Sequence, residues 1–137
     1  MKTAEQDLSV VLDVALRKRD QALQALAQIQ HEQRQALLQL NQLQGYCAET
    51  HVRWSERAAN GFDGVQLHTH RVFMGKLEHA QNYQQTVLQQ IAQRLLQGQQ
   101  RVYEAERELA SLRKFQQRRH QVWLLQQQRK EQKSNDE

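Results

Sequence analysis

The chain has 137 residues and a net charge of +4 at neutral pH, and it contains 39% apolar residues, one cysteine and no proline. With a single cysteine it has neither an internal disulfide nor a thiolate metal cluster, and its polar composition does not suit a large compact core. Proline costs about 3 kcal/mol in a helix interior, so its absence leaves the whole chain free to be helical. Polar, glutamine-rich chains are often disordered, but the regular leucine spacing favours helices here.

The charge pattern limits the classes of partner. The positive net charge favours acidic partners in general, but basic residues are interspersed with glutamates, and aromatic residues do not alternate with a basic strip as single-strand binders require. Nucleic acid is therefore not an expected partner. No apolar run approaches the roughly 20 residues that span a bilayer, and the first residues lack the apolar segment of a secretory signal. We expect a cytoplasmic protein.

The first predicted helix covers residues 4–58 and starts at a capping box formed by Thr3 and Gln6. A lone Gly45 costs only about 1 kcal/mol, so the helix is expected to be continuous. Three heptad stripes run along it. The first two alternate in steps of four and three, which predicts that they form a coiled-coil interface with the third beside it. The first stripe is Leu12, Arg19, Leu26, Gln33, Leu40 and Cys47; the second is Leu16, Leu23, Gln30, Leu37 and Gln44; the third is Leu8, Ala15, Ala22, Ile29, Ala36 and Leu43.

A turn is predicted at residues 59–65. Asn60 and Gly61 tolerate the left-handed conformation that ends a helix, and Asp63 with Gln66 three residues later can cap the next one. A turn this short makes the two helices antiparallel. The predicted fold is therefore all-α: one domain over residues 1–137, an antiparallel coiled-coil hairpin with both chain ends at one tip.

The second predicted helix covers residues 66–130 and is followed by a frayed tail at 131–137. Two heptad stripes predict its interface, and residues beyond about 124 are expected to lack a partner in the first helix. One stripe is Met74, Gln81, Leu88, Leu95, Val102, Leu109, Gln116 and Trp123; the other is Leu77, Gln84, Ile91, Gly98, Ala105, Leu112 and Arg119.

No pattern for catalysis, cofactor binding or metal binding emerges. The most suggestive pair, His68 and His70, has a two-residue spacing that does not place both on one helix face. Gly61 and Gly64 lack the flanking residues of a phosphate-binding loop. Cys47 falls in a heptad stripe and is interpreted as a small core residue. The sequence predicts a protein that is not an enzyme and carries neither cofactor nor metal.

The densest apolar stretch of the C-terminal part is Val122-Trp123-Leu124-Leu125. Two interpretations stay open: Trp123 covers the first turn of the first helix, or it anchors a partner, since Trp and Arg dominate binding hot spots. Phe73 poses the same choice near the turn. The basic residues around the C-terminal stretch are Arg113, Lys114, Arg118, Arg119, Arg129, Lys130 and Lys133.

Several short patterns fall in a characteristic order along the chain. They are Leu43-x-x-Tyr46-x-x-Glu49, the Asn60-Gly61 break, and Phe73-x-x-x-Leu77-x-x-Ala80 at the start of the second helix. With the long-helix layout and the basic C-terminal part, these patterns make nearly the whole chain resemble the FliJ family, the small stalk proteins of the bacterial flagellar type III export apparatus.

The resemblance implies a function without an active site. Members of the family are similar to the central stalk of rotary ATPases: the tip with both chain ends enters the hexameric ring of the export ATPase and promotes its assembly. They also contact the cytoplasmic region of the export-gate membrane protein and interact with export chaperones. The implied location is the cytoplasm, peripheral to the inner face of the cell membrane.

The resemblance also implies two sets of contact residues. The gate contact of the family uses a Phe, a Leu, an Ala and a His along one helix, and the last position is a glutamine here. The ring contact is expected at the basic, apolar C-terminal stretch. The gate set is Phe73, Leu77, Ala80 and Gln84; the ring set is Arg113, Phe115, Arg118, Arg119, Val122, Trp123 and Leu124.

Three other functions remain open at this point. The equivalent stalk of a virulence injectisome would share the pattern, and a general coiled-coil scaffold or export chaperone would bind clients without affecting an ATPase. Nucleic-acid binding would require an affinity that falls steeply with salt. Coiled-coil stripes also pair between molecules, so the sequence leaves the oligomeric state open.

Overall fold

The computed structural model describes the backbone of residues 2–136 and the side chains of residues 5–136. It contains two helices, α1 at Lys2–Ala59 and α2 at Gly64–Asp136, and no strand among the described residues. The helices pack against each other. The prediction of an all-α fold built from two long helices is therefore confirmed. The side chain of Thr3, predicted to cap α1, lies outside the described residues.

The end of α1 follows from Gly61. The backbone N–H groups of Asn60 and Gly61 donate to the carbonyl oxygens of Arg57 and Ala58, at 3.1 Å in each case. Gly61 has a φ of 94°, a conformation that other residues adopt only at a cost. The left-handed position that the sequence allowed at Asn60 or Gly61 is thus occupied by the glycine, and it stops the helix.

The start of α2 is closed by the predicted capping box. The backbone N–H of Gln66 donates to Asp63 Oδ1 at 2.7 Å, and the backbone N–H of Asp63 donates to Gln66 Oε1 at 3.2 Å. Two backbone donors that no helical carbonyl can serve are satisfied in this way.

Both helices extend beyond both of their predicted ends, 4–58 for the first and 66–130 for the second. α1 continues through Gly45 without interruption, as predicted. Residues 131–136, predicted to fray, are helical and belong to α2. The segment contains neither glycine nor proline, and its glutamine, glutamate and lysine are good helix formers.

Contacts divide the chain into two units. Unit 1 combines Met1–Leu26 with Gly98–Glu137, and unit 2 is Ala27–Gln97. In unit 1 the most buried side chains are Ala15 and Leu109, each 2% exposed. In unit 2 the buried apolar side chains are Ala36, Leu40, Leu77 and Ile91.

The interface of α1 is not the predicted one. The third stripe, predicted to flank the interface, is buried or half-buried throughout, together with the first stripe. The second stripe is exposed after its half-buried first member, Leu16: Leu23 and Leu37 are exposed, as are its glutamines. Small alanines in the third stripe, Ala15 and Ala36 among them, leave room for long side chains of α2 between the helices. For this reason α1 packs against α2 through the face that carries the alanines.

The interface of α2 follows both predicted stripes as far as Leu112. Every member from Met74 to Leu112 is buried or half-buried, whereas Gln116, Arg119 and Trp123 are exposed. The covered part of α2 thus ends about three turns before the predicted position near residue 124. This early end leaves the C-terminal stretch of α2 accessible.

Candidate partner-binding surfaces

The α2 C-terminal surface is an exposed apolar patch among basic residues in unit 1. Trp123 is 42% exposed, and Val122, Leu124 and Phe115 are exposed as well. The three arginines predicted for this surface are also exposed. The surface is defined by Arg113, Phe115, Arg118, Arg119, Val122, Trp123 and Leu124.

Phe115 and Trp123 of this surface each contact a neighbouring side chain. The guanidinium carbon of Arg119 lies 5.9 Å from the ring centroid of Phe115, within the range of a cation–π contact. The rings of His120 and Trp123 stack with centroids 6.0 Å apart and planes 19° apart. A groove of about 1090 Å³ runs along it. Its lining comprises Glu5, Leu8, Arg113, Gln116, Gln117, Arg118, Arg119, His120, Val122, Trp123 and Gln126.

The two interpretations of Trp123 are therefore not exclusive. Trp123 shares its groove with Glu5 and Leu8 near the start of α1, so it lies beside the first helix as the core interpretation required. It nevertheless keeps 42% of its surface exposed, which leaves the ring accessible to a partner.

The residues predicted for the gate contact do not form one exposed face. Leu77 is 8% exposed and belongs to the core of unit 2, and Ala80 is half-buried. Phe73 is 36% exposed and meets Tyr46 of α1 edge to face, with ring centroids 6.0 Å apart. Of the four residues, only Phe73 offers a large accessible side chain.

Gln84 is also turned into the core. Its side-chain Nε2 donates to the carbonyl oxygen of Ala36 at 3.0 Å and to Gln39 Oε1 at 3.1 Å. A buried amide must be hydrogen-bonded to avoid a desolvation penalty, and these bonds to α1 satisfy it. Gln84 therefore joins the two helices, as its place in a heptad stripe of α2 predicted, although the sequence did not identify its partners on α1.

A second accessible site, which we name the turn cleft, was missed by the sequence reasoning. Trp54 of α1 stacks on His70 of α2 with ring centroids 4.2 Å apart and planes 7° apart, and Phe62 contacts the same indole at 5.3 Å. The first stripe of α1, continued one heptad beyond Cys47, reaches Trp54, and this was the available signal. The cleft encloses about 360 Å³ and is lined by Thr50, Arg53, Trp54, Arg57, Val65, Gln66, Thr69, His70 and Phe73.

One ion pair joins the helices of unit 2. Arg94 Nη1 lies 2.6 Å from Glu32 Oε2, and both side chains are partly exposed. The hydrogen bond from Arg94 holds the pKa of the Glu32 carboxyl below its usual value, and the same bond raises the pKa of Arg94. The pair adds an electrostatic link between α1 and α2 that water and salt weaken.

Two features are absent from the described part of the chain. Among these residues no group of three or more His, Cys, Asp or Glu side chains lies close enough to hold a metal ion. Neither helix, over the same residues, has a segment both long and apolar enough to cross a membrane.

Comparison with known proteins gives one match. A family model described as flagellar FliJ protein matches residues 4–137. No curated protein and no solved structure matches the chain. The matched range includes α1 from residue 4 onward, all of α2, the α2 C-terminal surface and the turn cleft.

Proposed function

The chain belongs to the FliJ family, whose members are non-enzymatic stalk proteins associated with flagellar protein export, and we propose that it binds and stimulates the export ATPase. The α2 C-terminal surface enters the ATPase hexamer and favours its assembly. Further partners are the cytoplasmic region of the export-gate protein and the export chaperones. These partners hold the protein at the inner face of the cell membrane.

The observation that carries this proposal is the exposed apolar cluster of Val122, Trp123 and Leu124. Removing apolar surface from water is favourable by about 25 cal/mol per Å². Contiguous exposed apolar patches therefore mark interaction sites. All three side chains keep more than a third of their surface exposed, although Trp123 lies beside the start of α1. A ring lumen that takes in the end of α2 would remove it from water.

The basic residues around this cluster suit an ATPase ring whose central opening is lined by acidic residues. Arg113, Arg118 and Arg119 are exposed, and of the residues that line the groove only Glu5 is acidic. A basic surface meeting an acidic one accelerates association and orients the partner more than it adds affinity.

For the gate contact, the supporting observation is narrower. Phe73 is accessible beside Tyr46, whereas Leu77 and Gln84 are buried and hold the helices together. We therefore centre the gate contact on Phe73, with the half-buried Ala80 at its margin.

The proposal is tested with the purified protein and its cognate export ATPase. The hydrolysis rate and the fraction of hexamer, measured by analytical ultracentrifugation, are both expected to rise on addition of the protein. Absence of stimulation, with an active ATPase and a helical protein by circular dichroism, would overturn the proposal.

A matched pair of variants separates the surface from total charge. Arg118→Gln with Arg119→Gln removes two charges from the α2 C-terminal surface, and Arg101→Gln with Arg107→Gln removes two exposed charges elsewhere on α2. Only the first variant is expected to slow association with the ATPase. A scaffold or chaperone function would instead give client binding with no change in ATPase rate.

A further inference from the structure

The turn cleft presents aromatic surface that the fold does not use. Phe62 and Phe73 are partly exposed, and Val65 is the most exposed large apolar side chain of the described residues. Trp54 is half-buried and held between His70 and Phe62. The indole is thus fixed in place before any partner arrives, so a ligand that contacts it loses little rotamer entropy of the protein.

The charge of the cleft has one sign. Arg53 and Arg57 border it from α1, and no acidic residue lines it. Arg53 has only a long contact with Glu49, 3.9 Å from nitrogen to oxygen, and both side chains are well exposed. Its guanidinium therefore remains accessible to a carboxylate, to which arginine can donate two parallel hydrogen bonds.

From these features we infer that the turn cleft binds an acidic segment of another protein that carries one aromatic side chain. The aromatic ring enters the cleft against Trp54 and Phe73, while carboxylates on either side of it pair with Arg53 and Arg57. A volume of about 360 Å³ accommodates such a side chain, and small-ligand sites start near about 300 Å³. Aromatic rings in offset or edge-to-face contact gain about 0.5–1.5 kcal/mol beyond their buried area.

This site goes beyond the proposed function. It shares Phe73 with the proposed gate contact, but Arg53, Trp54 and Arg57 belong to α1 and lie outside both sets of residues that the family resemblance implies. It also shares no residue with the α2 C-terminal surface, which belongs to unit 1, whereas the turn cleft belongs to unit 2.

The inference is tested on the full chain with short synthetic peptides. The probe peptide is composed of Asp, Glu and Ser around a central Phe; one control peptide has Ser in place of the Phe, and another has Lys in place of the acidic residues. Binding is followed by the anisotropy of a dye on the peptide. It is also followed by tryptophan emission in a Trp123→Phe background, where Trp54 is the only tryptophan.

We expect the Phe peptide to bind at least about tenfold more tightly than either control peptide, a difference of about 1.4 kcal/mol. Binding should alter the emission of Trp54. Arg53→Gln with Arg57→Gln should lower the affinity for the Phe peptide about tenfold. Arg118→Gln with Arg119→Gln should leave this affinity unchanged. All four arginines are exposed, so these variants are expected to fold.

Two results would overturn the inference. One is equal binding of the Phe and Ser peptides, which would indicate non-specific attraction to a basic protein. The other is loss of binding in the Arg118 and Arg119 variant with retention in the Arg53 and Arg57 variant, which would place the peptide on the α2 C-terminal surface. Neither result depends on whether the protein stimulates the export ATPase.

Discussion

The side-chain amide of Gln84 in α2 donates a hydrogen bond to the backbone carbonyl oxygen of Ala36 in α1, at 3.0 Å. The same nitrogen reaches Gln39. The donor is buried in a position where most coiled coils carry an apolar residue, so its bonds are satisfied only in one alignment of the two helices. Buried polar residues at such positions are known to select register at a cost in stability.

Replacing Gln84 tests this relationship. Gln84→Ala loses the packed side chain and both bonds, and should lower the free energy of unfolding by about 1–3 kcal/mol. Gln84→Leu should be at least as stable as the parent, because the Ala36 carbonyl retains its helical hydrogen bond and Gln39 is exposed to water. Urea denaturation followed by circular dichroism measures both. Gln85→Ala, an exposed neighbour, should change stability by less than about 0.5 kcal/mol.

Truncation of Leu77 is predicted to lower the stability of the fold, whereas truncation of Phe73 is predicted mainly to lower the affinity for the gate region. Leu77→Ala removes a buried side chain and should cost about 2–4 kcal/mol of stability. Phe73→Ala should cost less, about 1 kcal/mol, because it loses mainly the edge-to-face contact with Tyr46. In calorimetric titrations with the cytoplasmic gate region, Phe73→Ala should lose affinity while remaining folded. Loss of gate binding by fully folded Leu77→Ala would contradict this assignment.

Trp123→Ala is predicted to weaken ATPase binding without unfolding the protein. The indole is accessible and sits at the centre of the proposed contact, where truncation of a tryptophan typically reduces affinity at least about tenfold. Leu96→Ala is the matched control, since Leu96 is also an exposed apolar residue of α2 but lies in unit 2. ATPase stimulation titrated with each variant gives the comparison, and melting of Trp123→Ala would show that Trp123 is a core residue.

Acid should weaken the link between Glu32 and Arg94. The folded-state pKa of Glu32 is lowered by its hydrogen bond with Arg94, so the ion pair stabilises the fold above the unfolded pKa of about 4.3. That contribution is lost as the pH falls through the lower folded pKa. The Tm difference between the parent and Glu32→Gln should therefore be small and positive near neutral pH and vanish in acid. Glu49→Gln should show a smaller difference, because the contact of Glu49 with Arg53 is 3.9 Å.

Two glycines should respond oppositely to alanine. Gly61→Ala places a side chain at a φ of 94° and should destabilise the protein by about 1–2 kcal/mol. Gly45 lies inside α1 with open space around the position of a β-carbon, so Gly45→Ala should stabilise by about 0.5–1 kcal/mol. Thermal melts of the two variants decide this, and a stabilised Gly61→Ala would mean that α1 does not end as described.

The turn and the start of α2 could be predicted because local chemistry decides them. Gly61 is the residue that best tolerates its backbone conformation, and Asp63 and Gln66 are three residues apart, which is the spacing that a capping box requires. The heptad spacing and the absence of proline likewise predicted two long α-helices. These features depend on neighbours in the sequence and not on distant parts of the chain.

The interface of α1 could not be chosen from α1 alone. Leu23 and Leu37 are more apolar than Ala22 and Ala36, yet the alanines are on the buried face. The choice depends on which side chains α2 presents, and on the space that small residues leave for them. The same holds for the gate residues: no pattern within α2 shows that Gln84 has a hydrogen-bond acceptor at Ala36, 48 positions earlier.

The short connection after Gly61 has a kinetic consequence. Closing a loop costs more entropy as the intervening chain lengthens, and the bond from Gln84 to Ala36 spans 48 positions whereas the Arg94–Glu32 pair spans 62. The stack of Trp54 on His70 spans far fewer. Folding is therefore expected to start beside the connection and to proceed like a zipper, so that the contacts around Ala15 and Leu109 are the last to form and the first to open.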